Sequence, residues 1–539
     1  MWTRNFSTGA RTLKPNRFLT CVLGTLLATP AWAGSDAAGV HWLAQEVEIS
    51  RTLDALSAQA AYGFIVFRDV SVVDPIQGRS IAHRAVVVRD RKIAWTGDAK
   101  AAPDTDGAKI IDGRGLYLSP GLTDMHVHTV SLAEQVLRLA IGNTSVRDMD
   151  GFPWMLEMRR AVDGNALPAP TPYIAGTIIA DQPLYGYVVV HSEAEARQTV
   201  RNEAACGYDF IKVHNMLAQP LFDAVADEAR RAGLDLVGHI PHHISIDHAV
   251  HSAGMRTLEH LKGFIQDWDL QVSPEDYAKA LSGAEVWLTP TFYVNNEGAR
   301  EMAAQKLLAL PEMGYVALRK RERWAAPPDQ DWQHNLKNQP LFDTAQPLAM
   351  ARLLPLHPHW LAGTDAAQYP LQVAGFALLD ELGQMEHYGI ARPDVIRAAT
   401  TEPAAAMRRN DFGQIKTGLR ADLVLLGSDP FKDLRAYRDN RGVVLRGHWF
   451  ARPSLDQALA QLAAIEAEPD ASFALSQTMA ESVANAVEDL AKRHIALETS
   501  HVALAAAQLR NLHFAGEADR LDGLVSRLQA GPCRADTPD

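Results

Sequence analysis

The sequence predicts an α/β protein: a (β/α)8 barrel with short β-strands on both flanks and a helical C-terminal extension. Three observations carry that prediction. From Gly121 onward, short apolar runs alternate with helix-like segments, the strand, helix, strand rhythm of a parallel barrel. Several of these runs end in His, Lys or Asp, and such barrels gather their chemistry at the C-terminal ends of the strands. Short alternating runs punctuated by Pro, Gly and Asp lie on either side, and beyond Pro453 the composition turns to Ala, Leu, Gln and Glu.

A length of 539 residues exceeds one ordinary domain and is ample for a barrel with attachments. With 47% hydrophobic and 22% charged residues the composition is globular, and a net charge of −12 supplies no basic surface for phosphate contacts. Nucleic acid is therefore excluded as a partner. At the N-terminus Arg4, Arg11, Lys14 and Arg17 precede an apolar run from Phe18 to Ala28, followed by Pro30 and the small-x-small triplet Ala31-Trp32-Ala33. This reads as a signal peptide, residues 1–33, cut after Ala33 to release a periplasmic or secreted protein. The run is too short for the ~20 residues of a spanning helix, so no stable membrane anchor is expected. Cleavage leaves Cys206 and Cys533; a single disulfide between them is the alternative, but they fall in different predicted units and free thiols are expected.

A helical segment is expected over residues 34–61, then strands over 62–118. In the barrel, residues 119–407, strand one ends at His126 and His128 and strand two spans Thr144 to Asp148. Pro172 to Gly176, Phe210 to His214 and Leu236 to His239 are strands three to five; Thr257 to His260, Val286 to Pro290 and Trp360 to Asp365 are six to eight. The long interval between strands seven and eight is an insertion expected to shape the substrate pocket. Strands return over 408–453, in Gly413 to Leu426 and Arg441 to Gly447. In the extension, residues 454–539, Met479, Val483, Val487 and Leu490 recur as one helix face. That tail is expected to pack on the barrel or on a second subunit, which leaves a homo-oligomer open.

Residues i and i+2 of a strand share a face, so His126 and His128 can converge on one metal ion. Two same-face histidines at a strand end are just as readily ordinary polar residues. Four later positions shift the balance: Lys212, His239, His260 and Asp365, each at or near the end of an apolar run. The ordered set His-x-His, Lys, His, His, Asp resembles the amidohydrolase superfamily over roughly Ala60 to Pro453. The Ile211-Lys-Val run, the Gly238-His-Ile-Pro turn and the signal peptide look most similar to its prolidase-like, Xaa-dipeptidase and N-acyl amino acid hydrolase group.

The resemblance implies that both flanks join into one composite β-sandwich. It implies two divalent metal ions, with zinc expected: His126, His128 and Asp365 at the more buried one, His239 and His260 at the other, and a carbamate on Lys212 bridging them. A surface lysine is the bland alternative for Lys212, against its apolar surroundings. Asp365 would also move the proton during attack, its ordinary alternative being a helix N-cap. His242, His243 and His214 are candidates for substrate contact, weighed against ordinary loop histidines. The implied reaction is hydrolysis of a small amide, a dipeptide or an N-acyl amino acid, by metal-activated hydroxide. A mononuclear deaminase or imidazolonepropionase-like cyclic amide hydrolase is the alternative; deaminases of the superfamily carry a glutamate where His242 stands. A catalytically dead binding barrel would require a missing ligand, and none is missing.

Overall fold

The computed structural model describes residues 38–530 apart from 184–186, 262–263, 265–272, 297–299, 301–302, 327–329, 367–369, 470–476, 494–498 and 512–514. The expected signal peptide and Cys533 lie outside the described residues.

Eight parallel strands follow one another around the barrel: Leu122–Val127, Asn143–Asp148, Thr171–Ile174, Phe210–Val213, Asp235–Gly238, Met255–Glu259, Trp287–Thr289 and His359–Trp360. The first three pair in sequence, and so do the last five. Two seams join these groups. Ala175 bridges Phe210, with the Gly176 N–H donating to the Phe210 carbonyl at 2.8 Å; Val127 bridges Ala366, with Met125 N–H donating to Ala362 at 2.8 Å. Each expected strand is present. Sealed inside by helices, strands such as Phe210–Val213 are buried at every position, which explains their apolar runs without alternation.

The surrounding helices carry ordinary stop and start signals. Ser192 accepts from the Glu195 N–H at the start of Glu193–Cys206, and Ser273 with Asp276 forms a capping box at Pro274–Leu281. Phe222, Val225, Leu378 and Leu382 from these helices fill the layer against Ile211, Leu236, Leu258 and Leu288 of the strands. Each such fully buried side chain stabilises the fold by roughly 1.5–3 kcal/mol.

The flanks meet in one eight-stranded sheet. Tyr117–Pro120, from before the barrel, pairs antiparallel with Leu423–Leu426, from after it, Leu118 opposite Leu425. The strand Leu423–Leu426 shows why it has no polar face. Leu423 and Leu425 enter the sheet's own core beside Phe67 and Trp449, whereas Val424 and Leu426 point the other way into the barrel's core.

The helix Ala38–Gln59 is not a separate preface to the sheet. It packs among Arg452–Glu466, Gln477–Lys492 and Thr499–Asn511 as the inner member of the C-terminal helical layer, burying Leu43, Leu53 and Leu56. That layer lies on the barrel helices Ala133–Ala140 and Pro153–Asp163. The insertion between strands seven and eight is helical over Leu318–Ala325 and Gln330–Leu353, and its Met313, Val316 and Trp324 join the same core.

Cys206 corrects an expectation: it is disulfide-bonded rather than free. The chain's other cysteines, Cys21 and Cys533, lie outside the described residues. The expectation treated distance along the chain as distance in space. Cys206 packs against the core that contains Leu521 and Leu524 of Ala515–Ala530, so tail and barrel share a boundary there.

Candidate metal centre

The first strand is buried throughout and delivers His126 and His128 at its C-terminal end. Asp365 meets them from the segment that follows the eighth strand: its Oδ1 is 2.9 Å from His128 Nε2 and 3.4 Å from His126 Nε2. Donor atoms of these three residues lie within 4.8 Å of one another, and all three side chains are buried. Two imidazoles and a carboxylate converging in this way are a donor set suited to a divalent ion.

His260 brings Nε2 to 3.8 Å from Asp365 Oδ2, and its ring lies 4.6 Å from that of His126. The His239 ring stands edge-on to His260 at 4.7 Å. Lys212 Nζ is 3.5 Å from His126 Nε2 and only 1% of the residue is exposed. All six residues singled out as ligands therefore converge.

Backbone conformation explains how. His260 and Asp365 have φ of 60° and 59°, left-handed values that non-glycine residues adopt rarely. At His260 this turn breaks strand alternation, so that Glu259 and His260, neighbours in sequence, both contact the site. Gly238, just before His239, has φ 124°, and a Cβ there would lie 2.2 Å from the Val213 carbonyl oxygen. Only glycine lets the fifth strand close on the fourth while delivering His239 beside Lys212.

Burial pushes His126 down to about 4, assisted by Lys212 and opposed by Asp365 and Glu259, so the imidazole is neutral and able to ligate. Burial also lowers the Lys212 amine to about 8. For Asp365 burial acts upward, but the surrounding imidazoles of His126, His260 and His128 hold the carboxyl well below its ordinary range.

Sequence reading missed the residues that hold these groups in place. Glu259 Oε2 meets His126 Nδ1 at 2.9 Å, leaving Nε2 to face the cluster. Arg147 donates to Glu259 Oε1 at 2.7 Å, to Met125 O at 2.7 Å and to Thr257 at 2.8 Å, lacing strands one, two and six together. Burial would raise Glu259, and the Arg147 guanidinium with the His126 bond outweighs it, keeping the carboxylate ionised. Asp124 accepts from the Thr364 hydroxyl at 2.8 Å and so fixes the turn that presents Asp365; burial pushes Asp124 up to about 6. Asp150, past the second strand, is buried and pushed up to about 7 by burial. The signals were present in Thr123-Asp-Met-His, Ser145-Val-Arg-Asp and Thr257-Leu-Glu-His, where a charged residue interrupts an apolar strand.

The candidate substrate histidines divide. The His214 ring packs 4.3 Å from His239, inside the cluster's edge. His242 and His243 are exposed on the loop beyond strand five, and His242 Nε2 meets Asn215 Nδ2 at 2.7 Å.

Solved structures share this architecture. Bottromycin amidohydrolase superposes with a TM-score of 0.63 at 23% identity, covering 79% of this chain and 95% of that one. A prolidase from Bifidobacterium longum gives 0.58 at 20% identity over 74% of this chain and 99% of the other. An Xaa-Pro dipeptidase with methionine bound in its active site gives 0.55 at 20% identity, over 72% and 100%. The chain has the fold of the amidohydrolase superfamily. Sequence relatives within that superfamily match less of it. Imidazolonepropionase of Micrococcus luteus is 44% identical over 62 residues, 12% of this chain and 15% of that protein. Adenine deaminase 2 of Rhizobium johnstonii is 24% identical over 380 residues, 67% of this chain and 52% of that one. This chain thus spans only a small part of the first relative and about half of the second. No family model matches it.

Proposed function

We propose that the protein is an exported, binuclear metal-dependent hydrolase that cleaves the amide bond of a dipeptide or an N-acyl amino acid. The observation that carries this reading is the convergence of His126, His128, Lys212, His239, His260 and Asp365 on one end of the barrel. His126, His128 and Asp365 would hold one ion and His239 and His260 a second. When bound, two divalent ions, zinc by our choice, supply Lewis-acid polarisation of the amide carbonyl and make water acidic enough to attack near neutral pH.

The chain's own groups do the rest. The neutral Lys212 amine can bond to carbon dioxide and release a proton, and the resulting carbamate offers two anionic oxygens where a free ammonium would repel cations. Asp365 accepts the proton of the attacking water and passes it to the leaving nitrogen. His214, beside His239, and His242 and His243 on the same loop are our candidates for holding the substrate's carboxylate or carbonyl. The disulfide at Cys206 supports export, because such bonds persist mainly in oxidising compartments.

The local match to imidazolonepropionase favours a second reading, a one-metal hydrolase or deaminase of a cyclic amide or amidine. One experiment separates them. Purified protein loaded with zinc is assayed on dipeptides and N-acyl amino acids for free amino acid, and on purines and pyrimidines for ammonia, with metal counted per chain. We expect amino acid release and two metals; ammonia release alone, with one metal, overturns the amide reading. Asp365→Asn should lower turnover by about 10²-fold or more while KM moves less, since a basic oxygen is lost and most of the shape is kept.

A further inference from the structure

Asp150, an electrostatic neighbour of the cluster, and Glu203, which interacts with Asp150, have no task in this chemistry. Asp150 lies two residues beyond the second strand and is 7% exposed. The Ile178 N–H approaches its carboxylate, but Oδ1 is buried with no hydrogen-bond partner. His128 and Lys212 are among its electrostatic neighbours, and Tyr187 interacts with both Asp150 and Asp365. Asp150 thus neighbours both the cluster and Tyr187, with one buried carboxylate oxygen left unsatisfied. Behind it Glu203, 5% exposed on Glu193–Cys206, interacts with Asp150 and has no side-chain hydrogen-bond partner.

Two buried carboxylates stand together here, and the positive groups on the cluster side, Lys212 and His128, are assigned to metal binding. Burial favours the neutral acids here, and a ligand with a positive charge placed beside them would hold Asp150 ionised and satisfy its free oxygen. The substrate's geometry says which charge. In a dipeptide the α-nitrogen lies about 2.5 Å from the scissile carbonyl carbon, two covalent bonds away. A carbonyl seated at His126, His128 and Asp365 places that nitrogen close beside those residues, and Asp150 is an electrostatic neighbour of His128 and Lys212. An N-acyl amino acid carries no charge at that position.

Resting on the amide-hydrolase reading, we propose that Asp150, backed by Glu203, is the subsite for the free α-ammonium of the substrate, so that dipeptides rather than N-acyl amino acids are the true substrates. The test uses matched pairs in which a methyl group replaces the ammonium, beginning with alanyl-leucine and isobutyryl-leucine, on the zinc-loaded full-length protein. Wild type should favour the dipeptide in kcat/KM by tenfold or more. Asp150→Asn should lose roughly ten- to a hundredfold on the dipeptide, the range for a hydrogen bond to a charged group, and less than about threefold on the acyl analogue, with metal content unchanged. Equal losses on both substrates, or a wild type that prefers isobutyryl-leucine, overturn the proposal. Should Asp150→Asn fail to fold, the wild-type preference across the pairs decides alone. Hydrolysis of the acyl analogues but not the dipeptides would leave the amide reading standing and remove only this one; release of amino acid from neither would remove both.

Discussion

At Lys212 a charged side chain stands fully buried in an apolar strand, 3.5 Å from a histidine ring, where an ammonium would cost several kcal/mol. Burial favours the neutral amine, the form that reacts with carbon dioxide. If Lys212 bridges two ions as a carbamate, Lys212→Ala should lose metal and nearly all turnover, and short carboxylic acids added to the mutant should restore part of both. Elemental analysis and turnover measured with and without acetate check this. A mutant with two metals and a normal rate would end the binuclear reading. At the same scale, the Glu259 bond to His126 Nδ1 and the Asp124 bond to Thr364 hold His126 and the turn that presents Asp365 in place.

Between elements, one tight constraint lies just beyond strand eight, where the chain passes close to strands one and seven. A Cβ on Gly363 would sit 2.5 Å from Thr289 Cγ2 and 2.8 Å from His126 Cβ, with no flexible side-chain end to give way. Gly363→Ala must therefore push strand eight outward, carrying Asp365 away from His126. Overpacking of this kind costs typically 1–3 kcal/mol. We expect a lower melting temperature together with weaker zinc binding, read by thermal unfolding and by competition with a chelating dye. A variant that melts and binds zinc like wild type would show that the contact has room to relax. The strand alternation expected from sequence fails at these same joints, because left-handed residues at His260 and Asp365 redirect side chains that a regular strand would send elsewhere.

Across the whole molecule, the N-terminal helix links the helical layer to the site. Glu46 Oε2 accepts from the Leu132 N–H at 2.8 Å, on the loop that follows His128, while Arg493 pairs with Asp54 at the helix's other end. The helix Ala38–Gln59 is thus built into the layer made by the C-terminal helices. Export is the expectation that belongs to this scale: we propose that protein recovered from the host's periplasm begins near Gly34, just before that helix. Intact mass and N-terminal sequencing measure it, and a chain there that still carries Met1 would defeat it. Among the described residues no helix is long and apolar enough to cross a membrane.

The sequence alone determined the barrel, its eight strands and the six residues that converge at one end of it, because apolar runs ending in His, Lys or Asp are local patterns that survive without three-dimensional context. Most of what it left undecided involves residues far apart in the chain. Glu259 with Arg147, Cys206 as a disulfide partner, and Ala38–Gln59 inside the C-terminal layer have meaning only once distant segments meet. Asp150 is the sharpest case: in sequence it is one more acid after a strand, and only the tertiary structure buries it as a neighbour of His128 and Tyr187 with an unsatisfied oxygen. Local pattern sets which elements form. Which side chains share a dry, low-dielectric recess is set by packing, and the specificity of the site depends on that packing.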